Sequence, residues 1–493
     1  MSLLSPRLRS TSAILVAFAV PLGVYLASLR GDVSFWDTAD LQTVPYILGI
    51  PYPTGFPGYV LAGWLWSHVF AVGSVAWRLN VLDAVASAGT AAAVAALLIS
   101  LGAATAIAFG AALAYALAAV PWTHATYVDV HTIGFCAVAW AAVYAVRWSN
   151  TASWFDAIAC AVATAAALVI DNSTVLALPG LAFMFFARRP PLWRALALAA
   201  GATLAVLAVY AYLPLRSAAV TAARVDPTLT LGLGPGRPFW DDGHPATWAG
   251  FTRVVTGSDF APHEALAAMF SPVGIRGLTD DFAPRAAHDL GELLLWLALL
   301  GALLLWWRLP VVLAGGMLLG VLPVLFAAAY PVESEATRYY LAAYFVLAAA
   351  AGYGVAVLDA GMHGVQRYAM LVVIGIAWVV LLGNDFAAGA NLYAQPALRD
   401  GRDWIDRVIE TTPPRAIVVA PWNYATTLAY GAYVLHALGN RIVLTAGAHQ
   451  YQGRYRTWLT QRPIVVVSDD PERFRGFHVR ELDDGSPHLY ALR

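Results

Sequence analysis

The sequence predicts a polytopic α-helical membrane protein carrying a small C-terminal α/β domain, and three observations support this fold class. Hydrophobic residues fill 60% of the 493 positions and charged residues only 12%, a balance outside the range of water-soluble globular chains. Apolar runs recur along most of the chain, each near the roughly 20 residues that cross a bilayer as a helix. After about residue 390 the pattern changes to short β-branched runs separated by amphipathic stretches, as strands alternating with helices would read.

About eleven spans are predicted, near 12–30, 81–100, 103–121, 131–147, 152–170, 173–187, 193–213, 289–307, 309–329, 339–358 and 368–386. Arg7 and Arg9 precede the first run in the manner of a signal peptide, but no small-residue cleavage pattern comes before Asp32, so the run reads as a retained span. With the N-terminus cytoplasmic, the turns that face inward carry Arg147, then Arg188, Arg189 and Arg194, then Arg308, then Arg367. That is the positive-inside pattern. The opposite turns carry Asp37, Asp40, Asp129, Asp171, Glu333 and Glu335, so acidic chemistry gathers on the outer face. By the same parity the excursions 31–80 and 214–288 and the α/β domain at 389–493 are extracytoplasmic, leaving residues 1–388 as the membrane domain with its two outer loops.

Both excursions are too apolar and aromatic to be linkers. "RPFWDDGHPATWAGFTRVV" has helical spacing with a proline near its start, the pattern of a helix lying on the bilayer surface. In the C-terminal region "AIVVAP", "RIVLTA" and "PIVVVSD" read as strands, and "DWIDRVIET" and "TTLAYGAYVLHAL" as helices. Cys136 and Cys160 sit inside apolar runs and read as small packing residues, not as a disulfide or metal site. Net charge is −1 and every basic residue is Arg, which speaks against a nucleic-acid partner.

The first excursion opens with "FWDTADLQTVPYILGIPYPTGFPGY". Asp37 and Asp40 stand at i and i+3, so a short helix points both carboxylates the same way. A partly desolvated carboxylate has a raised pKa, and a second one nearby raises one member further. Such a group takes a proton from a hydroxyl. Pro45, Pro51, Pro53 and Pro57 interrupt any regular helix, and irregular backbone at membrane depth lines a wet cavity or is buried in protein. The plainer alternative is a pair of helix-start carboxylates capping a surface turn.

Other polar groups collect on the same face. Asp129 and His131 in "THATYVDVHT" stand where one span ends and the next begins; a single such His is often a hydrogen-bonded structural residue. Arg216 closes "YAYLPLR", Arg338 follows Glu333 and Glu335, and Arg78 starts the second span. Each is either a headgroup contact or a fork for a phosphate. Asp171 and Asn172 break an apolar run, where ionisable residues point to function. An anionic lipid headgroup held by arginines and a hydroxyl acceptor met by a carboxylate are what sugar transfer from a polyprenyl phosphate requires.

The string from Trp36 to Tyr59, followed by "WRLNVLDAVASA", "YVDVHTIG", "YAYLPLR", "PATWAGFTRVVTGSDF" and "VESEATRYYLAAYFVLA", resembles the GT-C family of membrane glycosyltransferases. It is similar to the bacterial-to-animal branch that includes the animal O-mannosyltransferase of plexin-type receptor domains. The likeness runs in order through nearly all the membrane region, and "WNYATTLAYGAYVLHALGNRIVL" resembles that branch's outer domain. It implies a GT-C fold, a polyprenyl-phosphate sugar donor entering sideways from the bilayer, and a carboxylate base in the first outer loop. It implies no metal or other cofactor, the lipid-linked sugar being a co-substrate. The family's Asp-Ser-Gly-Glu corresponds to Asp37, Thr38, Ala39 and Asp40, with a shorter acid at the last place. Tyr52 stands where the family has His; Asp129, Val130 and His131 stand for its Glu-Val-Tyr, and Asp171 and Asn172 for its Asn-His.

The expectation is therefore an inverting glycosyltransferase of a bacterial cytoplasmic membrane. It would move a sugar, mannose foremost, to a hydroxyl of a protein, glycan or lipid. Asp37 or Asp40 is the base, with Asp37 first because it lies nearer the membrane end of the loop. Arg216, Arg338 and Arg78 are the phosphate partners, and Tyr52, Asp129, His131, Asp171, Asn172 and Glu335 line the substrate site. A transporter of lipid or solute and a catalytically inactive scaffold are the rival readings.

Overall fold

The computed structural model describes residues 6–330, 333–447, 450–470, 474 and 476–493. The chain divides into two compact units.

The first unit is made of Met1–Leu29, Val81–Tyr210 and Phe260–Ala394. Among the described residues of the chain, eight helices are long and apolar enough to cross a membrane. Apolar helices also occupy the three remaining expected places, at Thr105–Leu117, Trp154–Ile170 and Asn172–Phe186, each of 10–17 residues. The sequence-based count of about eleven thus corresponds, among the described residues, to eight helices of spanning length and three shorter apolar helices. Helix pairs in this unit approach closely through small residues. At Gly301 of the helix Ala283–Arg308 an added Cβ would lie 1.8 Å from the Ala350 carbonyl oxygen on Leu341–Gly361. In lipid, where apolar burial gives little drive for helix association, such backbone-to-backbone contact is a main source of attraction. Residues 260–282 fold as short helical turns that pack on Pro310–Ala329, with Ala265 and Met269 against Leu325 and Phe326.

The second unit gathers Arg30–Asn80, Ala211–Asp259 and Gln395–Arg493. The first excursion and the front part of the second therefore share a fold with the C-terminal region. Strands β1 (Ile417–Ala420), β2 (Ile442–Thr445), β3 (Ile464–Val467), β4 (Val479–Glu481) and β5 (Leu489–Leu492) form one sheet in the order β2-β1-β3-β5-β4. β1 pairs in parallel with β2 and β3, while β5 runs antiparallel to β3 and β4. Side chains alternate across a strand, and here both faces are covered. Val418, Ala420, Val443 and Val465 face the helices Asp400–Thr411 and Trp422–Tyr433 together with Val33, Ala39, Val44 and Val60 of the first excursion. Ile417, Val419, Ile442 and Val466 face Tyr455, Trp458 and Leu231. Burial on both sides explains why the first three strands read as continuous β-branched runs.

The helix expected across "RPFWDDGHPATWAGFTRVV" is confined to Trp248–Thr256, where Thr247 caps it by accepting the Gly250 N–H at 3.1 Å. The residues before it form turns, with Gly243 and His244 both at positive φ. The Asp-Asp-Gly-His-Pro composition favours turns over helix. Trp248 stands 78% exposed on the short helix.

Candidate active site

The helix Trp36–Ile47 carries both acids of the first excursion. Buried amides fix its start: the Gln42 side chain accepts the Ser34 N–H at 2.9 Å and donates to Asn80 at 3.0 Å. Its end turns at Leu48, in the left-handed region, leaving terminal carbonyls that need donors. Arg216 supplies them, Nε to Leu48 O at 2.5 Å and Nη2 to Ile47 O at 3.2 Å. The next carbonyls are held from the same direction, Gly49 O by the Tyr212 hydroxyl at 3.0 Å and Ile50 O by the Asp242 N–H at 3.3 Å. Gly49 has to be glycine, because a Cβ there would sit 1.8 Å from the Phe239 carbonyl oxygen.

Asp37 is half-buried, and its Oδ1 accepts the indole N–H of Trp422 at 2.8 Å. Trp422 begins the helix after β1, stacks on Phe239 with ring centroids 6.1 Å apart, and meets Tyr52 edge-on at 5.9 Å. Asp40, on the next turn of the same helix, is 0% exposed, and among the described residues neither of its oxygens meets a donor at full hydrogen-bonding geometry. Burial, then the nearby Asp242 and Asp37, raise its pKa well above the ordinary carboxylate value, while the Tyr52 backbone N–H pulls weakly the other way. Burial likewise pushes Asp242 up to about 7, against the attraction of Arg253 and with help from Asp259 and Asp241. The neighbouring His244 holds Asp241 through Nδ1 at 2.8 Å and meets the buried Ser217 hydroxyl at 3.1 Å. An accessible carboxylate thus stands beside two carboxyls that favour their protons, an arrangement suited to general-base chemistry.

Arg78, expected as a phosphate ligand, is turned to its own loop. Its nitrogens donate to Ser67 O at 2.8 Å, Gly73 O at 2.9 Å and Val72 O at 3.2 Å, tying Pro57–Val69 to the start of Val75–Ser100. Arg216, too, spends two of its nitrogens on the backbone of the acid-bearing helix.

The other expected residues belong to the first unit. Asp129 caps Val130–Thr151, accepting the His131 N–H at 2.9 Å and pairing with the His131 ring at 2.9 Å, while His124 approaches its second oxygen at 3.5 Å. Burial acts to raise the Asp129 pKa, but His131, His124 and Arg338 together hold it well below the ordinary value. His131 packs edge-on to Tyr339 at 5.0 Å, and the Arg338 guanidinium lies over the same ring. Asp171 caps its own turn by accepting the Ser173 N–H at 2.9 Å and hydroxyl at 2.6 Å, and Asn172 accepts the Tyr210 hydroxyl. The side chains of Glu333 and Glu335 lie outside the described residues.

Sequence reading missed Trp422 and Asp242 as neighbours of the two acids in the second unit, and, in the first unit, His124 as a neighbour of Asp129. His124 lay within a polar string already singled out. Asp242 was hidden in a segment read as a surface helix, and Trp422 gave no local signal, since its partner is 385 positions away. Among the described residues, no group of three or more His, Cys, Asp and Glu side chains is arranged as a metal-binding set.

Comparison with known proteins adds three findings. Residues 37–194 match the family described as "Protein O-mannosyl-transferase TMEM260 N-terminal domain". The structure is similar to that of ArnT from Cupriavidus metallidurans in the apo state, with TM-score 0.53 and 14% identity over 98% of each chain. It is similar as well to ArnT from the same organism bound to undecaprenyl phosphate, with TM-score 0.52 and 12% identity over 98% of each chain. No curated protein matches. At these identities the likeness is one of fold alone.

Proposed function

We propose that the chain is an inverting glycosyltransferase that moves mannose from a polyprenyl monophosphate to a hydroxyl acceptor on the extracytoplasmic side of a bacterial cytoplasmic membrane. The observation that carries this reading is the half-buried Asp37 carboxylate, oriented by the Trp422 indole and adjoining the fully buried Asp40. Three comparisons support it: the family match that begins at Asp37 and names an O-mannosyl-transferase, the shared fold, and the undecaprenyl phosphate bound by one of the similar structures.

In the proposed step Asp37 removes the acceptor hydroxyl proton as that oxygen bonds to the anomeric carbon. The bond from that carbon to the phosphate oxygen breaks, its electron pair leaves with the polyprenyl phosphate, and the anomeric configuration inverts. Positioned proton transfer of this kind contributes about 10²- to 10⁴-fold. Burial, Asp242 and Asp37 favour the protonated form of Asp40, which limits the negative charge beside the base. Arg216 is assigned the departing phosphate, and Arg78 is assigned to loop architecture. Tyr52 is retained as a substrate-site residue beside the two acids.

The test is to incubate the purified protein in lipid vesicles with radiolabelled polyprenyl-phosphate mannose and follow release of the sugar to acceptor or water. Label release that Asp37→Asn abolishes supports the enzyme. Uptake of intact donor without bond cleavage would favour a transporter, and neither event would favour an inactive scaffold.

A further inference from the structure

Away from the acidic site, the first unit holds an apolar cavity of about 560 Å³. Its walls are four helices: Thr105–Leu117, Ala283–Arg308, Leu341–Gly361 and Gly364–Ala388. We propose that this cavity binds one acyl chain of an amine-headed phospholipid, whose ammonium group is received by the Glu292 carboxylate.

The shape follows from the sequence. Leu371, Ile374, Gly375, Trp378 and Leu381 line one side, and their spacing of three and four residues is that of a single helix face. From Leu371 to Asn384 that face rises thirteen residues, or about 20 Å at 1.5 Å per residue. The opposite walls are opened by small side chains, and a Cβ added at Gly375 would meet nothing within 4 Å. An apolar hollow among membrane helices offers water no partners, whereas lipid chains are present on every side.

The volume selects the occupant. Taking a methylene as roughly the size of a water molecule, about 30 Å³ in the liquid, the cavity holds on the order of 18 of them. That is one chain of a diacyl lipid and only a fraction of a long polyprenyl tail.

The charge selects the headgroup. Among the described lining residues Glu292 is the one that ionises, and it is exposed. A Cβ added at the adjacent Gly291 would lie 3.7 Å from the Leu381 side chain, one turn from Asn384, so Glu292 and Asn384 mark the same end of the cavity. A carboxylate there repels a phosphate-terminated polyprenyl and attracts an ammonium group that has protons to donate. Phosphatidylethanolamine meets these requirements, and the quaternary amine of phosphatidylcholine lacks the donors.

The test uses the full chain extracted from vesicles that contain phosphatidylethanolamine, phosphatidylcholine, phosphatidylglycerol and polyprenyl phosphate, with retained lipid counted by native mass spectrometry. Wild type is expected to keep one phosphatidylethanolamine about tenfold in preference to phosphatidylcholine. Gly375→Phe, which fills the hollow, should lose the retained lipid, and Glu292→Gln should keep a lipid but lose the preference for the amine. Should Gly375→Phe not fold, Leu381→Trp fills the same space. Quenching of Trp378 fluorescence by brominated acyl chains, taken as wild type minus Trp378→Phe, gives a reading on unaltered cavity walls. No retained lipid and no quenching, retention that survives cavity filling, preferential retention of polyprenyl phosphate, or a headgroup preference indifferent to Glu292→Gln would each overturn the assignment.

Discussion

The indole N–H of Trp422 donates to Oδ1 of Asp37 at 2.8 Å, so a residue of the C-terminal α/β fold orients a carboxylate that stands 385 positions earlier in the chain. Tyr52 and Phe239 hold the indole from two sides. The geometry of the acid is therefore set by aromatic packing as much as by its own helix.

Removing that donor should lower turnover without unfolding the chain. Trp422→Phe keeps the stack on Phe239 but leaves Asp37 unoriented, and the expected result is about a tenfold fall in kcat with little change in KM for the donor lipid. An unchanged kcat would show that the indole does not position the base.

The two acids should respond differently to amide substitution. Asp37→Asn removes the proposed base, and a loss of about 10²- to 10⁴-fold in kcat is expected with donor-lipid binding retained. Asp40 sits buried with a pKa raised by burial, Asp242 and Asp37, so Asn imitates its neutral form and the loss should stay within about tenfold. Kinetics of both variants at pH 7 check this, and a reversed order would move the base to Asp40.

Asp242 supplies a pH test. Burial pushes its pKa up to about 7 in the folded chain, from about 3.9 when unfolded, so over that window the folded state holds the extra proton. Stability contributed by this group is present in acid and falls as pH rises from about 4 through 7. Asp242→Asn, which cannot ionise, should flatten that decline and raise the apparent Tm by about 5 °C at pH 8. Scanning fluorimetry at pH 5 and pH 8 reads the difference, and parallel profiles would refute it.

Asp129 has the opposite sign. Burial opposes its charge, but His131, His124 and Arg338 hold its pKa well below the ordinary value. Its contribution is thus present above the unfolded carboxylate pKa and is lost as pH falls through the folded one. Asp129→Asn removes the negative charge that these neighbours stabilise and should cost about 3 kcal/mol at pH 7, a deficit that shrinks below pH 4. Denaturation of the two proteins at both pH values measures it.

The membrane character, the places of the apolar helices and the first three strands were legible because each rests on a local pattern. Lipid demands apolar length, and strands covered on both faces demand continuous β-branched runs. Asp37 and Asp40 were legible as a pair from their spacing alone. The last two strands were not, since "VRE" and "LYAL" are short and owe their pairing to β3. Arg78 and Arg216 looked alike in sequence as outward arginines, yet Arg78 closes a loop and Arg216 holds the end of the acid-bearing helix. A guanidinium binds a carbonyl or a phosphate with the same donors, so residue type cannot separate the two.

By itself the sequence determined that this chain lives in a bilayer, where its apolar helices lie, and that a proline-kinked segment places two acids one helical turn apart. Only the tertiary structure decided which acid stays reachable, because that depends on Trp422, Asp242 and Phe239 arriving from distant segments. Burial and field at a carboxylate are summed over neighbours in space, and no spacing along the chain encodes that sum.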